Sequence, residues 1–172
     1  MLKLKLAVAS VGLATMLPLA ATLSAQTAEA PTAPLPSQIL TAKKVFISNA
    51  GGDFGNYSWS GGPARAYNEL YAAVKGWGRY ELVAAPADAD MVLQISYADP
   101  ITSVGSGSSS NSAQFRIVLL DPKTRVALWS LVENASTGNG TRKALDKNYG
   151  EAFGKLVEDL RSLTTQPALT AN

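Results

Sequence analysis

Carboxylates and aromatic rings are the side chains here that could do chemistry. The chain of 172 residues contains no histidine and no cysteine. It therefore has no Ser-His pair and no thiol nucleophile, and a zinc site would lack both of its common soft ligands. A Ser-x-x-Lys pattern is also absent. Asp53, Tyr57 and Trp59 share a stretch dominated by Gly, Ser and Asn, residues 49–62. Rings on such a stretch can stack on a sugar or grip a peptide, or fold back onto a sheet edge. These three are the candidate ligand or partner loop. Asp88 and Asp90 lie two apart, so they share a face of an extended chain. Paired carboxylates serve glycoside hydrolysis or hard-cation binding. Directly before an apolar strand, their ordinary role is to hold a turn.

Gly51-Gly52-Asp53-Phe54-Gly55 lies between a strand and a helix start, where anions can bind. It matches neither G-x-G-x-x-G nor G-K-[ST], so it reads as a glycine-permitted surface loop. No catalytic, metal or cofactor residues are expected.

The elements that must position these residues follow from periodicity. Residues 43–48 (KKVFIS) form a short buried strand. Pro63 opens a helix over 64–77, with Tyr67, Leu70, Tyr71, Val74 and Trp77 on one face and Gly76 and Gly78 at its end. Strands over 79–84 and 91–97 follow, separated by the turn 86–90. The Ser-rich run 99–113 reads as a long loop. The clearest unit is 114–133, two strands joined by Asp121-Pro122-Lys123-Thr124. There the proline fixes φ and the Asp accepts from amides two residues on. A second helix over 144–163 carries Leu145, Tyr149, Ala152, Phe153, Leu156, Leu160 and Leu163 on one face, with Asp146 or Asn148 as its cap.

The predicted fold is α/β: a two-layer sandwich of a mixed five-stranded sheet with two helices on one face, in the order β-α-β-β-β-β-α. Strands two to five are expected as a meander. The domain is placed at 43–164, with a tail over 165–172.

Residues 1–25 read as a secretory signal peptide: Lys3 and Lys5, an apolar run from Leu6 to Leu19, then small residues up to a cleavage site near Ala25. An Ala/Pro-rich tether over 26–42 follows. The alternative is an N-terminal anchor that is not cleaved. Lys+Arg number 15 against 13 Asp+Glu, and removing Lys3 and Lys5 leaves the two signs equal. No basic field then remains for nucleic acid or an anionic membrane surface. The expected location is periplasmic or secreted, with no stable membrane anchor after cleavage.

At Ala87-Asp88-Ala89-Asp90-Met91-Val92-Leu93 and at Asp121-Pro122-Lys123-Thr124-Arg125-Val126-Ala127-Leu128-Trp129 the chain resembles small exported bacterial α/β envelope domains. Those of the amino-terminal domain of the Tol-Pal translocation β-propeller protein and of curli-secretion-type periplasmic lipoproteins are similar in pattern. The resemblance implies an envelope protein that binds or assembles, with Asp88, Asp90, Asp121, Thr124 and Trp129 defining the fold. The sequence holds no cysteine for lipid attachment, and the expectation is a free-standing domain without a propeller. The leading expectation is thus a non-enzymatic binding or assembly module of the cell envelope, its partner an envelope protein or component. The alternatives are a carbohydrate-active or other hydrolase using Asp53, Asp88, Asp90 or Asp99, and a structural or stress-related envelope protein without a discrete ligand.

Overall fold

The computed structural model describes residues 34–53, 59–98, 101–104, 108–111, 113–136 and 140–165, without the side chains of 53, 101–104 and 108–111. The expected signal peptide, residues 26–33 of the tether, Tyr57, Asp99 and most of the tail lie outside the described residues. The unit that is described begins at Pro34. Its start corrects the expected tether, because Ser37–Thr41 form a turn of helix (α1) that buries Ile39 completely.

The main sheet contains Lys44–Asp53 (β1), Glu81–Leu82 (β2), Met91–Ala98 (β3), Ala113–Leu120 (β6) and Ala127–Ala135 (β7), in the order β2-β1-β3-β6-β7. Its first three members run parallel, and β3, β6 and β7 are antiparallel. The mixed five-stranded sheet is as expected, but the meander is not. Strands expected to be consecutive neighbours, β2 and β3, lie on opposite sides of β1. A 3-10 turn, Pro86–Asp88, packs against β1 between them. The link is short because Leu82 at the end of β2 and Met91 at the start of β3 both stand level with Val45.

The helices Arg65–Trp77 (α2) and Arg142–Thr165 (α3) cover one face. Leu70 and Val74 from α2, and Tyr149, Phe153, Leu156 and Leu160 from α3, meet Val45, Met91, Leu93, Ile95, Phe115, Ile117 and Leu119 in one core. These strand residues alternate, as a sheet covered by helices on one face requires. Gly78, at φ +71°, ends α2 in the left-handed conformation that glycine adopts without strain. At the start of α3 the Thr141 hydroxyl accepts from Ala144 N–H, so capping falls to Thr141 and not to Asp146 or Asn148.

The Ser-rich run is not a plain loop. Ile101–Val104 (β4) and Ser108–Asn111 (β5) pair as a separate antiparallel hairpin between β3 and β6. The turn after β6 is as read from the sequence. Asp121 Oδ1 accepts from Lys123 and Thr124 N–H at 2.8 and 3.3 Å. Arg125 takes the left-handed φ of +62° there, which no glycine marks in the sequence.

A candidate binding edge and its cleft

Trp59 lies in the core. It is 6% exposed and meets Tyr97 and Tyr149 edge-on, with ring centroids 5.7 and 5.6 Å away. In this arrangement the indole is not available to a sugar or a peptide. Asp53 closes β1 opposite Ala98, so it stands on the sheet and not on a loop. Gly51 and Gly52 are likewise part of β1, at a bulge where two residues separate Asn49 from Gly52 and one separates Ile95 from Tyr97. A Cβ on Gly52 would lie 1.6 Å from Tyr97 O. The glycine is there for close backbone approach, which removes the phosphate-loop reading.

Next to Trp59 a polar network ties the loop to both helices. Asp146 accepts from Ser60 N–H and Oγ–H, each at 2.7 Å, and from Arg65 at 2.8 Å. Arg65 also donates to Glu69 and lies 3.7 Å from the centroid of the Tyr149 ring. Those Ser60 hydrogen bonds hold the Asp146 carboxyl below the usual Asp range. Both Asp146 oxygens and Glu69 Oε1 are already engaged, so the cluster anchors the loop to the helices.

Asp88 and Asp90, both expected to hold the turn before the strand, separate in function. Asp90 Oδ2 accepts from Lys44 and Lys43 N–H at 2.8 and 2.9 Å, across 46 and 47 positions of chain. This clamp joins the starts of β1 and β3, where the sequence suggested only a local turn. Asp88 is exposed on the 3-10 turn. Acidic groups that do interact are Glu133 on β7 and Asp159 on α3, which no local spacing could signal. Burial and the hydrogen bond to Glu133 push the Asp159 carboxyl up. Lys155 Nζ donates to both Glu133 oxygens, at 2.8 and 2.9 Å, so the chain's own ammonium fills that site. Among the described residues no group of three or more acidic side chains is arranged to hold a metal ion.

The remaining feature is an edge. β1 has ten residues, but β2 pairs only with its start, Lys44↔Glu81 and Val45↔Leu82. The carbonyls of Lys43 and Val45 accept from Glu81 and Val83 N–H, whereas Lys44 O accepts from Asp90 N–H on the opposite side. Backbone groups alternate in this way along a strand, so those of Ile47 and Asn49 point outward past the end of β2. Among the described residues no strand continues along that side.

A cleft of about 340 Å³ wraps this edge, lined by Phe46, Ile47, Tyr67, Tyr71, Leu82, Val83 and Ala84. Phe46 and Ile47 belong to opposite faces of the strand, so the cleft surrounds the edge and not one face of it. Tyr67 and Tyr71, one helical turn apart on α2, overhang it with ring centroids 6.5 Å apart, and Tyr71 is 41% exposed. Periodicity made both tyrosines legible as α2 residues. Their position beside an unpaired strand was not legible, because it depends on where β2 stops.

No protein-family model matches the chain, and no curated protein matches its sequence. Among solved structures it is similar to protein XCC0632 of the DUF330 family from Xanthomonas campestris, at 12% identity over 74% of this chain and 86% of that one, with a TM-score of 0.48. It is also similar to the PelC dodecamer from Paraburkholderia phytofirmans, at 12% identity over 73% and 89%, TM-score 0.43. Lipoprotein GNA1162 from Neisseria meningitidis matches at 15% identity over 70% and 99%, TM-score 0.38. None of these three is named as a Tol-Pal translocation protein. Likenesses this distant bring no role to the chain. No helix among the described residues is long and apolar enough to cross a membrane.

Proposed function

We propose that the protein is an exported, non-enzymatic binding or assembly module of the bacterial cell envelope, and that its working surface is the outward edge of β1. One observation carries this reading: the outward backbone groups of Ile47 and Asn49 have no described strand beside them, and Ile47 lines an aromatic-walled cleft. An unpaired edge is a template for another chain, and folded proteins ordinarily blunt such edges. The opposite edge of the sheet, β7, shows that blunting. It carries a bulge between Leu119 and Leu120 of its partner, and Glu133 beside the core is tied to Lys155. β1 beyond Val45 has apolar walls instead. Strand addition supplies main-chain hydrogen bonds for affinity and side-chain pockets for selectivity.

A photo-cross-linking amino acid at position 71, expressed in the bacterium, tests this. An adduct forms from position 71 and not from a control at position 126, which is exposed on the β6–β7 turn. Equal adducts from both positions, or none from 71, overturn the reading.

A further inference from the structure

We infer that the partner segment is a short, uncharged strand with aliphatic or aromatic side chains at alternate positions, donated by a different protein. This rests on the edge-binding reading above. The first argument is charge. No Lys, Arg, Asp or Glu lines the cleft. The Lys44–Glu81 contact sits where β2 already pairs, at a distance of 4.0 Å and well exposed. A charged side chain desolvated against Tyr67, Tyr71 and Leu82 would have no counter-ion.

Alternation is the second argument. Leu82 pairs with Val45 and packs on the helix-side core, so Ile47, Leu82, Tyr67 and Tyr71 line the side toward α2. Phe46 and Val83 line the other side. Residues of an incoming strand meet apolar walls on both faces.

Length comes third. β2 leaves the sheet at Val83, and the bulge after Asn49 breaks the ladder, with Asn49 Oδ1 accepting from Gly51 N–H at 2.9 Å. Ile47 and Asn49 are the outward positions between those limits, which suits an added strand of about four residues. A second copy of this chain is a poorer occupant. Its β1 would bring the same bulge into the pairing, and its β7 would bring the ion-paired Glu133.

The full chain is titrated with acetyl-Thr-Val-Thr-Val-Thr-Val-Thr-amide and with two twins whose valines are all Glu or all Lys. Binding is followed by amide hydrogen exchange at Ile47 and Asn49. The uncharged peptide slows exchange at both amides and binds at least about tenfold tighter than either twin. Tyr71→Asp removes that preference, and Tyr71→Ala reports whether the folded state survives loss of the ring. Protection of Ile47 and Asn49 by all three peptides alike sinks the inference but leaves the edge reading standing. Protection of neither amide by any peptide sinks both. A wild-type dimer in sedimentation that Tyr71→Asp turns into a monomer assigns the edge to a second copy and overturns the choice of partner.

Discussion

Asp90 and Asp159 show how one side-chain type takes opposite electrostatic roles from its surroundings. The Asp90 carboxylate is held low by the amides of Lys44 and Lys43. Its contribution is present above the ordinary Asp pKa, near 3.9, and is lost as pH falls through its lower folded value. Asp159 is raised by burial and by Glu133, so folding favours its protonated form. Its contribution is present below the ordinary Asp pKa and is lost as pH rises through the raised folded value. Urea midpoints across pH should separate the two. Asp90→Asn lowers the midpoint at neutral pH and flattens the decline at acid pH. Asp159→Asn raises the midpoint at neutral pH relative to acid pH. Unchanged pH profiles would remove both assignments. The sequence marked Asp90 as a carboxylate leading into a strand, but its amide partners lie 47 and 46 positions away. Nothing in the spacing of Glu133 and Asp159 brings a strand residue to a helix residue.

β1 was legible for its first half, and the second half was hidden by its own composition. Val45, Phe46 and Ile47 alternate as a strand should, but Asn-Ala-Gly-Gly reads as a turn because glycine usually punctuates. In the structure Gly52 is glycine because the Tyr97 carbonyl occupies the place of a Cβ. Gly52→Ala therefore forces β1 away from β3, at a cost of about 1–3 kcal/mol. Gly76→Ala, in α2 with open space at the Cβ position, is the matched control and is neutral or stabilising. Thermal unfolding of the two variants checks the contrast, and equal losses would contradict it. The β4–β5 hairpin was missed for a related reason: serines carry no period-2 hydrophobic signal. The β6–β7 hairpin had that signal together with a turn whose Asp and Pro each have a mechanism, and it was the element read best.

At the scale of the molecule, the two long helices, the five strands of the main sheet and the covered face were legible from periodicity. The strand order was not, since Val45 pairs with Met91 and with Leu82 through contacts that no local pattern encodes. This arrangement also sets a timetable. β6 and β7 join through the short turn at Asp121, whereas β1 must wait for a neighbour that lies 46 positions later along the chain. Closing the longer loop costs more chain entropy, so the hairpin forms first. In refolding with pulsed hydrogen exchange, Ile117 and Leu131 become protected before Val45 and Phe46; the reverse order would contradict this. Until β3 arrives, β1 is bare along the margin that β3 will cover and, past Val45, along the other as well. A foreign strand present during that interval competes with β3 itself as well as for the margin left open in the finished fold. Partner concentration during folding would then govern the yield of correctly paired protein.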